Sequence, residues 1–103
     1  MSSSDVILKK GERVYLEFTI KDANQNLVDL TGYNVTLQVQ KYGSSSLSIN
    51  SECEVTDPEH GKARYLYEGN LPPGYYKGEL EISGGSIHSI TKTFIIKVVK
   101  EIS

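Results

Sequence analysis

The sequence has no tryptophan, one cysteine, one methionine and three prolines in 103 residues. The single thiol, Cys53, closes no intrachain disulfide and builds no zinc site by itself, so stability falls to packing and no oxidising compartment is required. An excess of charge of one sign is missing too. Eleven Lys and Arg stand against thirteen Asp and Glu, a formal charge of −2, which is neither the basic footprint of a nucleic-acid binder nor a polyacidic tail. No run approaches the ~18 apolar residues of a membrane-spanning helix, and Met1-Ser2-Ser3-Ser4-Asp5 lacks the basic region and apolar stretch of a secretory signal. Synthesis in a cytoplasm is therefore expected, and Asn34-Val35-Thr36 is taken as a chance match to the glycosylation sequon. Helical periodicity is lacking throughout. With 38% hydrophobic and 23% charged residues the composition is ordinary for a globular chain, and the length suits one domain over residues 1–103.

What is present is alternation of period two. Val14, Leu16, Phe18 and Ile20 interleave with Arg13, Tyr15, Glu17 and Thr19, the pattern of a strand with one face on a core and one in water. Val35, Leu37 and Val39 repeat it. Leu47, Ile49, Cys53 and Val55 share one parity, followed by Ala63, Tyr65 and Tyr67, then Tyr76, Leu80 and Ile82, then Phe94, Ile96 and Val98. A short leading strand at Val6 to Leu8 and a long closing one from Ile87 to Val99, with room for a bulge, complete the set. Asp22 to Asn26, Asp57 to Gly61 and Ser83 to Ser86 are turn clusters expected to join antiparallel strands, the last centred on Gly84-Gly85. Turns every ~8–12 residues predict an all-β, immunoglobulin-like antiparallel β-sandwich of about seven strands.

Leu71-Pro72-Pro73-Gly74-Tyr75-Tyr76 predicts a corner where the chain crosses between sheets. Pro73 and Gly74 form the turn, and Tyr76 places its ring in the core and its hydroxyl on upstream backbone.

Candidate chemistry is sparse. Cys53 keeps the parity of Leu47, Ile49 and Val55 and is expected inward as an inert thiol. His60 lies in a turn beside Asp57 and Glu59, and His88 shares parity with Ile90, Phe94 and Ile96; neither is read as a metal ligand. The carboxylate pairs Glu52 with Glu54 and Glu79 with Glu81 fit a solvated strand face, with Lys62, Lys77 or Lys92 as cross-strand partners, better than a hydrolytic pair. No catalytic residue, metal or cofactor is expected, and no enzyme. Tyr15, Tyr42 and Tyr75 fall on outward positions and are the candidate surface contacts.

A series of landmarks runs along nearly the whole chain. Lys10-Gly11 precedes a strand ending in Phe18-x-Ile20; Asp22 and Val28-Asp29-Leu30-Thr31-Gly32-Tyr33 follow. Val35-x-Leu37-x-Val39-x-Lys41, the Asp57 to Gly61 turn, Pro73-Gly74-x-Tyr76-x-Gly78-Glu79 and Phe94-x-Ile96-x-Val98 complete it. In these the chain resembles the N-terminal domain of baseplate upper proteins from tailed phages of Gram-positive bacteria. The resemblance implies an immunoglobulin-like structural module of a phage or prophage tail, made in the bacterial cytoplasm and incorporated in the virion. It would bind other tail and baseplate proteins, with no nucleic-acid or membrane partner, and any homo-oligomer would form through regions outside this chain. The alternative is a glycan-binding or adhesin-type sandwich. The lack of tryptophan weighs against that reading unless Tyr15, Tyr42 and Tyr75 share one face.

Overall fold

Val35, Leu37 and Val39 are completely buried, and they make β3 (Asn34–Lys41) the hub of the larger of two sheets. The alternation that buries them turns Thr36, Gln38 and Gln40 outward. In the computed structural model, which describes residues 5–85, 87–91 and 93–100, nine strands form two layers. They are β1 (Val6–Lys9), β2 (Val14–Thr19), β3, β4 (Leu47–Glu52), β5 (Glu54–Asp57), β6 (Lys62–Tyr67), β7 (Gly74–Gly84), β8 (Ile87–Ile90) and β9 (Phe94–Val99). The larger sheet has the order β1-β9-β7-β3-β4, with β8 also on β7; the smaller is β2-β6-β5. Leu16, Ala63 and Tyr67 of the smaller sheet close on Leu37, Tyr76, Leu80 and Ile96 of the larger in one core. Each large side chain buried this way contributes about 1.5–3 kcal/mol.

The all-β sandwich predicted from the sequence is observed, with corrections. The sheets are not wholly antiparallel, because β1 lies parallel to β9 in the register Val6↔Ile96 to Lys9↔Val99. Period-two alternation reports which face of a strand is buried and carries no information on the direction of its neighbour. Nine strands replace about seven, because two runs are broken. The first break is at Cys53, where the chain leaves the larger sheet as β4 and enters the smaller as β5, the Cys53 N–H donating to the Val35 carbonyl at 2.7 Å. The second separates β8 from β9. Across it parity fails: His88 and Ile90 are exposed, whereas Phe94 is partly and Ile96 fully turned to the core. Leu47 is also outward, 45% exposed, because the β3–β4 register shifts between Val39 and Gln40 and sets Leu47 opposite outward-facing Gln40.

Two of the three predicted turn clusters join antiparallel strands, with local differences; Asp22 to Asn26 turns within a single antiparallel bridge, Lys21 to Leu27, and joins no pair of strands. Between β5 and β6 the chain makes a 3₁₀ turn, Pro58–His60, ended by Gly61 at φ 68°. Gly84 still pairs with Ile87 inside the β7–β8 hairpin, and of the Gly84-Gly85 pair only Gly85 takes a positive φ, 57°; Ser86 lies outside the described residues.

The long connection from Ile20 to Tyr33 forms no strand, apart from a single bridge between Lys21 and Leu27. The Asp22 carboxylate accepts the N–H groups of Asn24 and Asn26, which folds the tip back on itself. The Leu30 N–H donates to the Pro58 carbonyl at 2.8 Å, and the Leu30 side chain is buried, so the connection plugs one end of the sandwich.

Candidate functional site

The corner residues come together as a structural unit. Tyr76, in β7, is buried, and its hydroxyl donates to the Pro72 carbonyl at 2.6 Å. Pro73 lies in the connection before β7, and Gly74 begins β7, where a Cβ would stand 3.3 Å from Lys41 Cε. Val28 to Tyr33, the most specific landmark of the sequence, is likewise explained by packing. Asp29 accepts the Thr31 N–H at 2.9 Å, the Tyr33 N–H donates to the Leu30 carbonyl, and the Tyr33 ring lies so near Gly84 that any Cβ there would be 2.6 Å from Tyr33 Cδ1. The Thr31 hydroxyl and N–H together hold the Asp29 carboxyl below its usual pKa.

The three outward tyrosines do not share a face. Tyr15 is on β2 in the smaller sheet, with the Arg64 guanidinium 4.1 Å above its ring. Tyr42 and Tyr75 are neighbours on the larger sheet, where the Tyr42 N–H donates to the Tyr75 carbonyl at 3.1 Å. The same row continues through Lys97, paired with Tyr75, to Ile7, paired with Lys97. Ile7, Tyr75 and Tyr42 are 64%, 52% and 51% exposed, and Lys97 Nζ lies 5.6 Å above the Tyr75 ring. The result is an apolar and aromatic stripe crossing β1, β9 and β7 to the residue just beyond β3, roughly 14 Å wide at the usual strand spacing. Sequence alternation found Tyr42 and Tyr75; Ile7 and Lys97 join them only through the parallel β1–β9 pairing.

A second surface feature has no counterpart in the sequence reading. An open groove of about 1060 Å³ lies at one side of the sandwich, between the β2 edge and the far half of β7 with β8. Phe18 and Ile20 line one wall, Leu80 and Ile82 the other, and Phe94 meets Phe18 ring to ring at 5.7 Å. These residues read as core positions because they keep inward parity; Phe18 and Phe94 remain partly exposed because no strand among the described residues covers this side.

The titratable candidates are dispersed. Cys53 is buried, and desolvation pushes its thiol up to about 11. His60 Nδ1 is 2.9 Å from the Asp57 carboxylate in the exposed turn, and His88 Nε2 is 2.8 Å from Glu81. Among the described residues no lysine is seen paired with these carboxylates. Glu54 accepts from Arg64 at 3.0 Å and Glu79 from the Thr93 hydroxyl at 2.9 Å, while the Lys62 ammonium reaches Thr19. Lys92 lies outside the described residues. Among the described residues no three His, Cys, Asp or Glu side chains are grouped so as to hold a metal ion.

No protein-family model matches the chain, and no curated protein matches it in sequence.

Proposed function

We propose that the domain is a structural attachment module of a phage or prophage tail, binding other baseplate or tail proteins in the virion. The observation that carries this reading is the exposed stripe Ile7, Lys97, Tyr75 and Tyr42 on the larger sheet. Tyrosines beside a cation on a rigid sheet supply contact area at little cost in conformational entropy, which is the composition of the centre of a protein interface. The strand orders support an immunoglobulin-like classification. β3-β7-β9 and β2-β6-β5 follow the arrangement of strands C, F, G and B, E, D in that sandwich, and the landmark residues from Val28 to Tyr33 hold its end closed.

A docking surface of usual size needs about 800 Å² per partner, within the reach of one sheet face and its rims. The glycan-binding alternative asked for three tyrosines on one face, and the stripe offers two. The test is a light-scattering titration of the domain with a tail hub protein from a tailed phage of Gram-positive bacteria. Association at tens of micromolar, weakened at least ten-fold by Tyr75→Ala combined with Ile7→Ser, is expected. Absence of association, with binding to a host-wall glycan instead, overturns the attachment reading.

A further inference from the structure

Among the described residues β2 is paired on one side only. Its partner is β6, in the register Val14↔Tyr67 to Thr19↔Lys62, and the Ile20 N–H donates to the Gly61 carbonyl at 2.8 Å just beyond the last pair. In an antiparallel ladder the residues that bond to the neighbour alternate with those that do not. Ile20 therefore sets Phe18, Leu16 and Val14 toward β6, and directs the main-chain N–H and C=O groups of Tyr15, Glu17 and Thr19 to the open edge. The side chains of the same strand alternate independently, Phe18 inward to the groove wall and Glu17 outward to its rim.

The open edge and the apolar groove occur together. A strand laid beside β2 would satisfy the three outward-facing residues of the edge, and its alternate side chains would enter the groove against Phe18, Ile82 and Phe94. Among the described residues that line the groove, Glu17, Asp22 and Asp29 carry carboxylates and Lys21 is the one base. Asp22 and Asp29 are held as hydrogen-bond acceptors by the main chain of their own turns. On β6, Arg64 is held by Glu54 over the Tyr15 ring, within electrostatic reach of Glu17, and the Lys62 ammonium reaches the Thr19 hydroxyl at the groove edge, which leaves a small excess of negative charge there.

We propose that this groove accepts an extended segment of a partner protein as an added strand on β2, with apolar residues at alternate positions and lysine or arginine between them. The interface differs from the aromatic stripe and does not depend on the attachment reading, because it follows from main-chain hydrogen-bond supply, apolar depth and rim charge alone. Six residues of β2 correspond to roughly 20 Å of ladder, so a segment of six to eight residues is the expected length.

The probe is an acetylated and amidated octapeptide of alternating valine and lysine, titrated into the domain at low salt and followed by amide NMR and hydrogen exchange. Binding is expected to slow exchange at Tyr15, Glu17 and Thr19 at least ten-fold while leaving Leu16 and Phe18 unchanged, since those already bond to β6. Glu17→Lys, an exposed substitution that leaves the β6 ladder intact, is expected to weaken binding several-fold. N-methylation of the peptide's edge-facing amides is expected to abolish it. Equal affinity for an alternating valine and glutamate peptide, protection at sites other than these three amides, or no binding at millimolar peptide overturns the proposal. Each of those results leaves association with the tail hub, tested separately, to stand or fall on its own.

Discussion

The Tyr76 hydroxyl lies 2.6 Å from the carbonyl of Pro72, four residues upstream, and closes the corner through which the chain passes from the smaller sheet to the larger. In the same core the Tyr67 hydroxyl is buried and has no hydrogen-bond partner among the described residues. Two buried phenols of the same type thus differ in one respect, whether the hydroxyl is satisfied.

Removing the two hydroxyls is expected to have opposite consequences. Tyr76→Phe costs about 1 kcal/mol, the worth of a hydrogen bond whose carbonyl acceptor is left behind. Tyr67→Phe is neutral or stabilising, because it deletes a buried polar group that has no partner. Tyr75→Ala, on the exposed face beside Tyr76, changes stability by less than Tyr76→Ala, which costs about 3–5 kcal/mol. Urea melts of the four variants give all the comparisons. Equal losses at Tyr67 and Tyr76 on changing to Phe would contradict the assignment of the corner.

Two glycines of β7 separate rigid from yielding neighbours. A Cβ at Gly84 would meet Tyr33 Cδ1 at 2.6 Å and the Gly32 carbonyl oxygen at 2.9 Å, whereas one at Gly78 would meet only ring atoms of Phe94, the closest at 2.7 Å. Phe94 is partly exposed at the groove and can turn aside; backbone cannot. Gly84→Ala is therefore expected to lower stability by about 1–3 kcal/mol and Gly78→Ala by less, while Gly78→Ala moves the Phe94 ring resonances in NMR spectra. The reverse ranking in thermal melts would show that the Tyr33 contact is looser than its geometry.

Burial of Cys53 links stability to alkaline pH. The folded thiol has its pKa pushed up to about 11 from the ordinary 9.0, so between those values the folded state keeps a proton that the unfolded state loses. The contribution is complete below pH 9 and disappears as pH rises through 11. Discounted for solvent screening it amounts to about 1–2 kcal/mol. Tyr65, Tyr67 and Tyr76 are raised by burial in the same sense and steepen the decline above pH 10. Urea midpoints of wild type and Cys53→Ala measured from pH 8 to 11 are expected to converge as pH rises. In native buffer at pH 8 a thiol reagent is expected to label Cys53 much more slowly than in denaturant, and equal rates would place the thiol at the surface.

The row Val35, Leu37 and Val39 and the corner at Tyr76 were readable from sequence because each is encoded within a few neighbouring residues. Cys53 shows where such reading stops. Its parity with Ile49 and Val55 is kept although the chain changes sheets there, since both sheets present their apolar side to the same core. The stripe needed the pairing of Ile7 with Lys97, ninety residues apart along the chain, and local alternation carries no record of such a partner. The groove was hidden for a different reason. Phe18, Leu80 and Ile82 carry the same pattern whether a neighbouring strand covers them or is missing.

The parallel pairing of β1 with β9 also fixes how the molecule bears load. β1 begins beside Ile96 and β9 ends at Val99, so the first residue of β1 and the last residue of β9 lie at opposite ends of the pair. Tension drawn between Asp5 and Lys100 would slide β1 along β9, stressing all their hydrogen bonds at once instead of opening them one by one. Had the two strands been antiparallel, both ends would leave on the same side and the same pull would unzip them. Linked between two anchors, such a domain acts as a tie rod that yields by shear.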